Sequence, residues 1–491
     1  TALEVNKAAG LSILENAELT GKVKLNSDSS MRPSGAGSLS SDIDLAGGLL
    51  KVADTRILPG TLSLSASSEV EVSGELTLSQ SSGLGLGPYA LSLSGGGSLK
   101  IPGNLKLDNE LSELVLGGVT LDNVSSTSSS KGLRVTGSSS VTALTLLHPA
   151  SLAVSEGMTL SGHVELGSNG ELDLTGPGEV RSTLSLSGGS LKASESSLWS
   201  GLWSQSAVAS VEVAKDKTLR YGGGDLELGV HALEIKGSGS LELTAAGSSL
   251  VLGDPQSHLK LTGNGSVPQV EVKAAPAEDR GLSITGQPSL SGLEFQVDSS
   301  LSATDQFSVD GGISVSGVKL TLNDSGTFAN SLVLDGGTLE VTGQPTLSGV
   351  VSQQAASKIK LAQSANLTTQ QAVDLGSSVL SLEGPGTFTN GQPFVLNQSG
   401  TGLELRDSVE VAGANLLDIH LHRFAPSGGI SGVAVLAESH ITVHTWPERD
   451  YAAIDIFMCG DTQPELTIPV LKNAFGEPTA TDSKQTSGTI S

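Results

Sequence analysis

The sequence predicts a mainly β chain: an elongated parallel β-solenoid, or β-helix, over residues 1–410, then a small, incomplete α/β segment over 411–478 and a polar tail over 479–491. Three observations carry this prediction. Short apolar–polar alternations recur along some four hundred residues, and corners of Gly, Ser and Asn separate them. Aromatic residues make up only 3% of the chain while glycine fills 62 of its 491 positions, which is poor supply for a series of separate cores built on large anchors.

The alternation is plain in Leu76-Thr77-Leu78, Leu91-Ser92-Leu93, Leu172-Asp173-Leu174, Leu184-Ser185-Leu186, Leu241-Glu242-Leu243 and Leu339-Glu340-Val341. A period of two puts the Leu side chains on one face of a strand and the polar ones on the other. Corners such as Gly95-Gly96-Gly97, Ser168-Asn169-Gly170 and Gly336-Gly337 tolerate positive φ and let the chain turn after each short strand. Because strand–corner units run on without a helical pattern or a linker, stacked coils with inward Leu, Val and Ile are expected. A row of antiparallel sandwiches is the competing architecture.

Other features of this region carry no site. Trp199 and Trp203, in SSLWSGLWSQS, read as a core plug or corner brace ahead of a ligand platform. Asp42 and Asp44 belong to no recurring calcium-binding nonapeptide and read as solvated carboxylates. The acceptor patterns at Asn123 and Asn366 are of a kind that arises by chance in so Ser-rich a chain.

A net charge of −24 excludes nucleic acid and anionic membrane surfaces as expected partners, since either polyanion would repel the chain. One cysteine excludes an internal disulfide framework. No apolar run approaches the roughly 18 residues of a spanning helix, so no transmembrane segment is expected. Thr1 is neither Met nor part of a charged-then-apolar leader, a start that signal removal or truncation would each leave.

Reactive residues gather in one stretch, SGVAVLAESHITVHTWPERDYAAIDIFMC, from Ser431 to Cys459. Around it the texture changes. VAVLA, HITVHTW and AAIDIFMC read as neighbouring buried strands, and ELTIPVLKNAFG (465–476) as a short amphipathic helix, so an α/β layer is expected. His440 and His444 could share a strand face as metal ligands, but no third ligand stands at suitable spacing, and no metal is expected.

The Glu438-Ser439-His440 run, the HTWPE strand and Cys459 closely resemble the bacterial pyruvoyl-dependent S-adenosylmethionine decarboxylases, from near Ala412 to Pro478. The resemblance implies that the Ser439 hydroxyl attacks the Glu438 carbonyl, that the ester eliminates, and that hydrolysis leaves a pyruvoyl group derived from Ser439. That group would be the cofactor, its ketone condensing with the substrate amine and serving as electron sink while carbon dioxide leaves. The resemblance further implies that His444 removes the Ser439 α-proton and that Cys459 reprotonates the product. It implies Ser431 near the processing site, Phe424 and Trp446 stacking on adenine, and Glu448 accepting from the ribose hydroxyls. The chain departs from the family where a strand and a long helix are usual, since GTGLELRDSVEV stands there, and again after Pro478. The layer is therefore short of parts, leaving unpaired edges and an apolar face that a second chain could cover.

Two functions follow. In the first, an extracellular or cell-surface solenoid serves adhesion, spacing or filament assembly, associates with itself through its faces or ends, and carries a vestigial or self-processing tail. In the second, an active adenosylmethionine decarboxylase is displayed on a scaffold, which would place it in the cytoplasm. The first is preferred, because the scaffold dominates the chain and contains no reactive cluster.

Overall fold

The computed structural model describes residues 2–13, 18–34, 38–277, 280–390, 392, 394–395, 398–411, 414–424, 428–437, 439–459, 467 and 471. The chain divides into two compact units, Thr1–Leu293 and Glu294–Ser491. Each contains parallel β-solenoid coils, about 19 turns in all. The sandwich alternative is overturned, because the strand ladders of the coils are parallel.

In the first unit the inward residues stack in register from coil to coil. Leu172 lies beside Leu191, Leu191 beside Val211, Val211 beside Ile235, Ile235 beside Leu261 and Leu261 beside Ile284. Each of these six is buried, so the period-two pattern becomes a column of aliphatic side chains that faces no water. The step from one to the next is uneven, because each corner adds its own number of residues. One irregular point inside the strand Thr159–Gly167, where the ladder register shifts, shows why glycine is needed. Gly162 sits at φ +125°, and a Cβ there would lie 1.7 Å from the carbonyl oxygen of Val141 in the coil below. No side chain fits that approach.

The aromatic point of the scaffold is core. Trp199 is fully buried, packs edge-on against Trp203 at 6.1 Å, and donates its indole N–H to the Ser182 carbonyl at 2.6 Å. Trp203 in turn meets Tyr221 at 5.0 Å, and burial pushes the Tyr221 hydroxyl up from its ordinary value.

The second unit repeats the pattern with Leu301, Leu322, Val341 and Leu361 in one column. Its outer face carries cross-strand charge pairs, Lys319 on Glu340 at 3.0 Å and Lys360 on Glu340 at 3.4 Å. The parallel ladder ends at Gly402–Val411. That strand pairs in parallel with Val379–Glu383 on one side and antiparallel with Ala414–Arg423 on the other. From there Ile430–Leu436, Ser439–Trp446 and Tyr451–Met458 follow as an antiparallel meander.

The expected strands are therefore present, but they are not buried: most of their described side chains are half-exposed or exposed, because one face of the meander meets solvent. The expected helix over 465–476 lies outside the described residues except for Thr467 and Leu471, both helical. The polar tail also lies outside them. Among the described residues no helix is long and apolar enough to cross a membrane.

Candidate active site

Antiparallel register sorts the C-terminal residues onto two faces. Leu421, Ile430, Ala434, Ile441, Val443 and Ile454 share one, half-buried. The other is more open and carries His422, His444, Trp446 and Asp455, all exposed, with Ser431 and His440 half-buried among them. Phe457 and Tyr451 stand on the same face, each 59% exposed. A four-residue turn sets this register: Pro447–Arg449 makes one 3-10 turn, and Asp450, at φ +45°, returns its N–H to the Pro447 carbonyl at 3.2 Å.

At one end of the exposed face Ser431 lies opposite His444, and the Ser431 hydroxyl meets His444 Nδ1 at 2.8 Å. The His444 ring tilts toward Trp446 at 6.2 Å, and Trp446 toward Tyr451 at 5.6 Å. Phe424, half exposed, packs edge-on against His422 at 4.7 Å. Glu448 sits in the following turn, exposed. Ser431, His444, Phe424, Trp446 and Glu448, which the sequence assigned to processing and substrate contact, therefore lie at one end of the sheet.

Ser439 is at the other end. It opposes Met458, the neighbour of Cys459, whose side chain is exposed. Glu438, the other half of the expected scissile bond, lies outside the described residues. Within one chain His444 is five residues along the strand from Ser439, about 17 Å at roughly 3.3 Å per residue. The expected convergence of His444 on Ser439 is thus not made inside a single copy, and Cys459 follows Met458, the cross-strand partner of Ser439, so strand alternation sends it to the face opposite Ser439.

Two features of Ser439 stand out. Its φ is +153°, far from the roughly −140° of an ordinary antiparallel strand and in a region that favours glycine. Its hydroxyl meets His440 Nδ1 at 3.1 Å. His440 Nε2 faces Asp455 Oδ2 at 3.5 Å, and its ring stacks on Phe457 at 5.9 Å. Sequence reasoning missed this pair, having weighed His440 only as a metal ligand and Asp455 not at all. The signal was available: counting back through the PERD turn pairs Thr442 with Asp455 and puts Asp455 diagonal to His440. Among the described residues no three His, Cys, Asp or Glu gather to hold a metal ion.

The comparisons agree with this segment. The S-adenosylmethionine decarboxylase family matches residues 401–486, starting earlier than Ala412 and including the strand that joins the meander to the coils. A proenzyme of that name from Thermomicrobium roseum is 49% identical over 72 residues, 14% of this chain and 62% of its own length. One from Methanococcus aeolicus is 51% identical over 78 residues, 16% and 66%. Another, from Methanococcus maripaludis strain S2, is 46% identical over 87 residues, 18% and 70%. Through its C-terminal segment the chain belongs to the S-adenosylmethionine decarboxylase family. It spans under two thirds of the first two of these relatives. No solved structure matches the chain.

Proposed function

We propose that the protein is a structural β-solenoid whose decarboxylase-family segment processes itself at Glu438–Ser439. The observation that carries this reading is Ser439 itself, held at φ +153° with its hydroxyl on an imidazole nitrogen. Backbone strain at the residue whose peptide bond must break raises the ground state and lowers what the reaction has to climb. A pyruvoyl group formed from Ser439 would supply an electrophilic ketone, and the family resemblance assigns Cys459 the role of returning a proton to the product.

The scaffold's part in the proposal is spacing or adhesion at a cell surface, with self-association through its faces or ends. Its support is the repetitive outer face of the coils. The exposed aromatic face of the meander also suits a second copy. The mass of the purified full chain tests processing. A large fragment ending at Glu438 and a small one beginning with pyruvoyl in place of Ser439 are expected, and Ser439→Ala should stay whole. Intact wild-type chain after long incubation would sink the proposal.

The second reading, turnover of S-adenosylmethionine, is favoured by Trp446, Tyr451 and Glu448 standing together at one end of the face. Because the match covers only 62% and 66% of the first two relatives, release of labelled carbon dioxide from this chain is expected to be weak or missing even after cleavage. Turnover lost in Cys459→Ala with processing retained would instead establish the decarboxylase.

A further inference from the structure

We infer that His440 is the base that activates the Ser439 hydroxyl for self-cleavage, a step to which no base was assigned above, with Asp455 as a positioning residue behind it. The inference rests on the processing reading above. His440 Nδ1 is 3.1 Å from Ser439 Oγ, within the reach a general base requires. The corresponding nitrogen of His444 is engaged by Ser431 at 2.8 Å. With Nδ1 accepting the hydroxyl proton, the remaining ring proton lies on Nε2 and faces Asp455 Oδ2 at 3.5 Å, which selects that tautomer. Stacking on Phe457 fixes the ring plane. A nucleophile, a base and an orienting carboxylate are thus supplied by two adjacent strands, in an arrangement known for activating serine.

The step balances without an outside reactant. The Oγ–H bond breaks as Oγ bonds to the carbonyl carbon of residue 438, and the proton passes to His440 Nδ1. The bond from that carbon to the Ser439 nitrogen then breaks, and His440 returns the proton to the departing nitrogen. An ester and an amine result. The Asp455 side chain is 71% exposed and that of His440 41%, so solvent screens the pair and the carboxylate's share is small.

The test uses the full chain, with cleavage followed by mass and the ester trapped by hydroxylamine. His440→Ala and the near-isosteric His440→Gln should slow ester formation on the order of 10²-fold, as loss of a general base does, and added imidazole should restore part of the rate to His440→Ala. Asp455→Asn should slow it about 3-fold, with Asp455→Glu recovering most of the loss. Wild-type rates in both His440 variants would overturn the inference while leaving self-processing intact. Slow His440→Ala chain that imidazole does not rescue, with His440→Gln at the wild-type rate, would also overturn it by showing a packing role. Wild-type chain that gives neither fragment nor trapped ester would overturn the processing reading itself.

Discussion

The coils and the C-terminal meander are both β structure with apolar–polar alternation, yet they use it oppositely. In a coil each strand closes against others of the same turn, so its inward Leu and Val are buried to a few per cent or less. In the meander the strands follow one another antiparallel, and one face stays open. Five of the large exposed apolar side chains, Phe424, Val435, Trp446, Tyr451 and Phe457, lie in that segment. The scaffold thus concentrates its stability in small aliphatics that nothing can reach, while the tail presents scarce aromatics and histidines where a ligand or another chain can. A solvent-open sheet face beside a strained serine is costly for stability and useful for chemistry.

The largest expected effect lies in the coils. Trp199→Ala should cost about 3–5 kcal/mol, since it empties a fully buried site and leaves the Ser182 carbonyl without its donor. Gly162→Val should cost about 3 kcal/mol or more, because its side chain meets backbone of the coil below and its φ is unsuited to a branched residue. By contrast Ile454→Ala, in a half-buried meander position, should cost about 1 kcal/mol. Denaturant titration read by tryptophan fluorescence and by far-ultraviolet dichroism measures all three. Equal losses in coil and meander would break the comparison.

A smaller effect should appear in assembly. If the open face receives a second copy, Phe457→Ser together with Tyr451→Ser should shift the chain toward monomer in light scattering, with no loss of coil structure by dichroism. An unchanged mass distribution would remove that face from the assembly.

How much of this was legible in the sequence differs between the two regions for physical reasons. The inward positions could be read directly, because Leu172 and Leu184 alternate with polar neighbours whatever the strand pairs with. Coil length could not, since corner size varies and only packing reveals the step from Val211 to Ile235 and then Leu261. The site residues were named from a local motif, which carries identity but not distance. Separating His444 from Ser439 needs the stretch between them to be one extended strand, and the motif by itself does not say that it is. The role of Gly402–Val411 in both ladders was hidden too, because alternation does not distinguish parallel from antiparallel pairing.

The smallest expected effect tests whether the charged outer face of the coils matters beside their core. Glu340 accepts from Lys319 and faces Lys360, and the Lys319 hydrogen bond, first among its causes, holds its carboxyl below the ordinary value of 4.5. A carboxyl depressed on folding adds stability that is fully present above its unfolded value and disappears as the pH falls through the lower folded one. Glu340→Gln should therefore cost about 0.5–1 kcal/mol at neutral pH, the scale of a partly exposed pair. That cost should shrink to nothing in acid below the folded value, where the wild-type carboxyl is also uncharged. Salt near ~1 M should diminish it at neutral pH as well, by screening both lysines. Denaturant midpoints of the two proteins across this range measure the difference. A gap that persists unchanged into acid would mean that Glu340 acts through packing, and the outer ladder would then have to be counted with the core.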